Sequence, residues 1–131
     1  MFPDGNASVA RLLVRKLIPG VASGNSMQGI VTAQFDYTQL DQPTNKTRFR
    51  LNSTVVNCAH NADGGQVNVT YVTMDKAYRV KAKHCILACY NALIPHLCPE
   101  LPETQKTHLR YGSKTPLLYC NVLVRNGASL D

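Results

Sequence analysis

The sequence predicts a mixed α/β fold of α+β character, and three observations predict it. Val9, Ala10, Leu13, Val14, Leu17 and Ile18 recur at the spacing of an amphipathic helix. The stretches 49–60, 66–73 and 77–82 are rich in β-branched residues and separated by turn residues, the pattern of an antiparallel meander. Finally, Cys85-Ile86-Leu87-Ala88-Cys89 is apolar on both faces, as in a strand covered on both sides inside a parallel sheet. A meander feeding a buried parallel strand over 84–89 is a piece of a nucleotide-binding architecture.

Taken in order, residues 2–6 form a turn-rich loop, and Asn6 or Ser8 is placed to cap the helix at 7–18. Pro19-Gly20 stops that helix. Residues 21–47, rich in Gly, Ser, Asn, Gln and Thr, read as a surface excursion with a short strand at 30–35. In the first strand of the meander, Val55, Asn57 and Ala59 point one way and Thr54, Val56 and Cys58 the other. Asn61-Ala62-Asp63-Gly64-Gly65 makes the first turn and Met74-Asp75-Lys76 the second. The third strand alternates, with Tyr78, Val80 and Ala82 inward and Arg79, Lys81 and Lys83 outward. Short helices are predicted over 90–97 and 103–109, joined by the rigid Cys98-Pro99-Glu100-Leu101-Pro102. A last strand runs over 114–124, and residues 125–131 carry no packing signal.

At 131 residues the chain suits one domain, and 44% apolar residues give a globular composition. The net charge of +6 comes from 14 basic and 8 acidic side chains. Arg11, Arg15 and Lys16 fall on a helix's polar face, and the aromatic residues are not interleaved with the basic ones. The charge therefore reads as a solvated surface and not as a nucleic-acid footprint. Cys58, Cys85, Cys89, Cys98 and Cys120 are odd in number and sit largely in apolar contexts, which reads as reduced core thiols in a cytoplasmic protein. Neither they nor His60, His84, His96 and His108 follow metal-ligand spacing, so no metal site is expected. No signal peptide and no membrane-length apolar run stands in the sequence.

Motifs that carry chemistry are scarce. The sequence holds neither GxGxxG nor GxxxxGK[ST], and Gly20, Gly24 and Gly29 match neither spacing. There is no GxSxG elbow and no carboxylate pair at acid–base spacing. No residue is assigned a catalytic role.

Four segments nevertheless carry a resemblance: Arg50-Leu-Asn-Ser-Thr-Val-Val56, Val69-Thr-Tyr-Val72, Ala77-Tyr-Arg-Val-Lys-Ala-Lys-His-Cys-Ile-Leu-Ala-Cys-Tyr90 and Leu97-Cys-Pro-Glu-Leu-Pro102. Together with Phe2-Pro-Asp-Gly-Asn-Ala-Ser-Val-Ala-Arg-Leu-Leu-Val-Arg15 and Leu117-Leu-Tyr-Cys-Asn-Val-Leu-Val-Arg125, their order and spacing resemble the FAD-dependent amine oxidases. The nearest type is the bacterial spermidine dehydrogenase-like proteins. The resemblance covers the chain to about Asn126, after which it stops, and the family's Gly-rich βαβ unit is not in the sequence.

The resemblance implies an internal fragment of a FAD/NAD(P)-binding Rossmann-like domain with part of the substrate domain. Residues 2–20 are then a loop and helix near the flavin, 21–48 a surface excursion, 50–90 the meander and buried strand, and 91–131 the start of the substrate domain. It also implies that Val55 and Val56 pass the adenine of FAD, and that Ala88, Cys89 and Tyr90 lie where the chain crosses between domains near the cofactor. Phe2, Pro3, Asp4, Gly5 and Asn6 belong on the active-site side. The implied reaction is hydride removal from the C–N bond of an amine or polyamine, with the flavin doing the chemistry and the isolated chain inactive. Two alternatives stand beside it, an interaction module built on the meander and a basic nucleic-acid-binding domain.

Overall fold

The helical repeat near the start of the chain folds where the spacing puts it: α1 spans Asn6–Leu17. The structure, a computed structural model, describes residues 4–24, 26–112, 114–123 and 125. The chain divides into two compact units, the first ending at Ser53 and the second beginning at Thr54.

In the first unit, neither Asn6 nor Ser8 caps α1. Gly5 is the N-cap, at φ 67°, a backbone conformation glycine adopts without strain. Ser8 is instead fully buried and donates its hydroxyl to the Asp4 carboxylate. The α1 face carrying Val14 packs with Ile18, Val21 and Leu40, with Phe35 and Phe49 at the margin. Val9, Leu13 and Leu17, on the neighbouring stripe, stay exposed.

Residues 21–47 do more than run over the surface. Val21, Ile30 and Leu40 are buried, and the strand expected at 30–35 is replaced by α2, Met27–Thr32. The reason is local: the Ser26 side chain accepts from the Gly29 N–H at 2.8 Å, a helix N-cap that turns the backbone before the β-branched pair Ile30-Val31. Arg11 closes the other end of α2, where carbonyls lack helical partners. Its guanidinium donates from Nε to the Ile30 carbonyl at 3.0 Å and from Nη2 to that of Ala33, and lies 4.4 Å from the Phe35 ring centroid. Asp41 holds Arg50 at 3.0 Å and Arg48 beside it. Arg11→Met keeps the apolar stem but removes both donors. It is expected to cost about 2 kcal/mol, read as a lower urea midpoint for the amide signals of Val21 and Ile30.

The second unit contains the meander, three antiparallel strands in the order β1 (Thr54–His60), β2 (Val67–Thr73), β3 (Lys76–Ala82). Met74 and Asp75 form the two-residue link between β2 and β3, with Thr73 paired to Lys76. Both residues have positive φ, 46° and 60°, as the hairpin turn matched to strand twist requires. Lys76, read as a turn residue, therefore opens β3. The sequence could not reveal the register shift between Val55 and Asn57, where Val56 is the extra residue of a β-bulge. The bulge corrects the predicted facing: Val55 opposes Tyr71 and Cys58 opposes Val69, so Val55 and Cys58 share a face.

That face carries most of the apolar residues of the three strands. At one end, Cys58 and Val67 pack with Cys98, Leu87, Ile94, Leu97 and Leu101, contributed in part by α3 (Ile94–Leu97) and the turn that leads to α4 (Glu103–Tyr111). At the other end, the Tyr71 and Tyr78 rings stack at 5.5 Å between centroids, while Val55, Tyr78 and Val80 are exposed rather than inward-packed.

Two expected strands do not form. Residues 84–88 have no sheet partner, and Cys85, Ala88 and Cys89 are exposed, Ile86 to 90%. Leu87 alone of this run packs on the core. Residues 114–123 likewise have no strand partner among the described residues, and Leu117, Leu118 and Leu123 are exposed; Val124, the end of that expected strand, lies outside the described residues. A strand apolar on both faces needs neighbouring strands and a cover on each side, and the three meander strands provide neither.

Candidate functional site

The feature with most chemical content is a hollow of about 300 Å³ in the second unit, at the Cys58–His60 end of β1. Cys58 and His60 reach it from one strand face, with Ala59 between them. Lys83, His84 and Cys85 reach it from the segment leaving β3, and Cys98 and Glu100 from the Pro-rich turn after α3. Three thiols of widely separated sequence position thus line one hollow, and two of them, Cys58 and Cys98, belong to one buried cluster.

Burial comes first in setting the chemistry of the Cys58 thiol, and hydrogen bonding and electrostatic coupling to Cys85 and Cys98 add to it. Together they push its pKa up to about 12. Burial raises Cys98 as well. Both therefore stay protonated at neutral pH and are weak nucleophiles there. Cys85, by contrast, is exposed. Among the described residues, no group of three His, Cys, Asp or Glu side chains is placed to hold a metal ion.

Glu100 staples the turn to β1. Its carboxylate accepts from the His60 backbone N–H at 3.1 Å and from the His60 ring Nδ1–H. These bonds, the ring bond foremost, hold the Glu100 carboxyl below its ordinary value of 4.5. A depressed carboxylate stabilises the fold fully above its unfolded pKa, and that contribution is lost as pH falls through the lower, folded value. The urea midpoint of the second unit is therefore expected to fall more steeply below pH 4.5 in the natural protein than in Glu100→Gln. Parallel pH profiles would show that the staple contributes nothing.

The residues singled out by resemblance are not gathered here. Val55 and Val56 lie at the other end of β1, exposed, at the bulge. Ala88 and Cys89 are exposed in the unpaired run. Tyr90 is a latch: its hydroxyl donates to the Gly112 carbonyl at 2.8 Å and accepts from the Lys114 N–H at 3.0 Å. Asp4, Gly5 and Asn6 belong to the first unit, at the start of α1, and Phe2 and Pro3 lie outside the described residues. Of the described ones among them, none lines the hollow at Cys58.

Sequence reasoning missed the thiol cluster because its members lie 13 to 40 positions apart in the chain and follow no motif. The available signal was weak: Cys58 and Cys98 each sit among apolar residues, which told of burial and not of mutual contact. No protein-family model and no curated protein matches this chain. Among the described residues, no helix is long and apolar enough to cross a membrane.

Proposed function

We propose that this chain supplies the meander and the linking segment of a FAD-dependent amine oxidase-like protein, of the spermidine dehydrogenase-like type, acting on an amine or polyamine. The observation that carries the reading is the state of residues 84–89. An apolar run leaves the third strand of a meander of the expected order and, Leu87 apart, is exposed, with Ile86 at 90%. Such a run is stable in water only when other polypeptide pairs with it and covers it. A Rossmann-like sheet is one environment that does both.

The residues present fit one wall of an FAD site and not the whole. Val56 is the unpaired residue of a bulge on an edge strand, so backbone groups there are available to a ligand such as an adenine. The chain holds no Gly-rich phosphate loop, and Ala88 and Cys89 are exposed in the unpaired run. The cofactor's remaining contacts belong to other polypeptide.

The test is Val55→Asp in the flavin-bearing protein. Val55 is at the exposed end of the sheet, so the fold tolerates the charge, checked by circular dichroism. An apolar adenine wall does not tolerate it, and flavin occupancy is expected to fall at least tenfold, for a cost of about 1.4 kcal/mol or more. Unchanged occupancy in a folded variant would contradict the assignment of β1.

A second reading, an interaction module, draws on the exposed face of Val55, Tyr78 and Val80. It predicts a protein without flavin. The opposite face offers little to a nucleic acid: Arg79 and Lys81 stand opposite Thr70 and Asn68, and the paired positions on that face hold no aromatic residue to stack a base.

A further inference from the structure

The thiol cluster is unused by the function proposed above, and the inference drawn from it is independent of that function. Cys58 and Cys98 belong to one buried cluster, and Cys85 joins them across the hollow from the exposed segment. Three thiols meeting where one is open to solvent and the others are not is the arrangement of a site at which an outside disulfide is received and then passed inward. Burial without such an opening would make the thiols inert.

We propose that Cys85 and Cys58 form a thiol–disulfide exchange site that takes a low-molecular-weight disulfide as its oxidant and ends as an internal Cys58–Cys85 bond. In the first step the Cys85 thiolate attacks one sulfur of the small disulfide. A Cys85 mixed disulfide forms, the small S–S bond breaks, and the expelled thiolate takes up the proton that Cys85 gave up. In the second step Cys58 loses its proton and attacks the Cys85 sulfur. The mixed disulfide breaks, and the second small thiolate leaves and takes that proton. Two protein thiols are oxidised to one disulfide, and one small disulfide is reduced to two thiols.

The order of attack follows from exposure: Cys85 is accessible and Cys58 is buried, so only Cys85 meets the oxidant. Lys83 lines the same hollow and can meet a carboxylate of the oxidant, while the Glu100 carboxylate, which also lines it, is engaged by His60. The high pKa of Cys58 makes the second step the slow one at neutral pH, faster as pH rises. Cys98 is buried like Cys58 and so is likewise kept from the oxidant. The finished bond ties the segment leaving β3 to β1 and fixes the start of the exposed apolar run beside the meander.

The experiment treats the folded protein with oxidised glutathione and maps disulfides without reduction. Tryptic cleavage places Cys58 in peptide 51–76 and Cys85, Cys89 and Cys98 together in peptide 84–106; chymotryptic cleavage after Leu87 then separates Cys85 from the other two. The expected result is a Cys58–Cys85 link that forms faster at higher pH and is preceded by glutathione on Cys85. In Cys58→Ala, glutathione is expected to remain on Cys85. In Cys85→Ser, an exposed position where the change leaves the core intact, the link is expected to vanish. A link from Cys58 to Cys98 that persists in Cys85→Ser would overturn the proposal. Glutathione that stays on Cys85 of the natural protein with no internal link, at any pH, would overturn it as well.

Discussion

Val69→Asp is expected to abolish the folded second unit, with a loss of about 3 kcal/mol or more. Val69 stands mid-way along the central strand, paired with Cys58 on one side and Val80 on the other, and packs against the buried cluster of Cys58, Val67 and Cys98. A carboxylate there faces apolar neighbours on both cross-strand positions. It must either stay charged without a partner or take up a proton at a cost. Among the described residues this cluster has three buried members, Cys58, Val67 and Cys98, and a core that small has little stability in reserve. The variant should lose strand circular dichroism and the slow exchange of β2 amides. A native-like spectrum with an unchanged urea midpoint would mean that the face of the meander contributes nothing to stability.

Ile30→Ala is expected to cost about 3 kcal/mol in the first unit. Ile30 is fully buried, the largest such side chain among the described residues, and its carbonyl is the acceptor for Arg11 Nε. Truncation leaves a void beneath α1, and α2, with six residues, is too short to persist without packing. The Arg11 guanidinium then loses its fixed acceptors, so Ile30→Ala and Arg11→Met should be strongly non-additive. Amide exchange of Val21 and Leu40 reads the effect. Additive losses would mean that α2 is held by something other than this contact.

Helical and strand periodicity in the sequence was enough to place α1, the meander and α4, because each has a repeat that local physics imposes. Three things escaped it. The core of the first unit uses Val21, Ile30 and Leu40 at no regular spacing, within a stretch whose polar composition reads as loop. α2 hangs on one serine cap and one distant arginine, so β-branched composition pointed to a strand and the tertiary contacts decided for a helix. The bulge at Val56 moved Val55 to the face of Cys58, and a single inserted residue leaves no mark on composition. The candidate site was less legible still. The thiols converge through the sheet register and the turn after α3, which no spacing rule encodes. The run 85–89, apolar on both faces and so expected as a buried strand, forms none, because the meander supplies neither a partner strand nor a cover for it.

The most direct test of the central claim is the visible absorption spectrum of the protein captured from its native source with an antibody to the exposed β1–β2 loop, residues 61–66. Oxidised-flavin bands that bleach when a polyamine is added without oxygen are the expected result. A colourless protein that binds no flavin would contradict it.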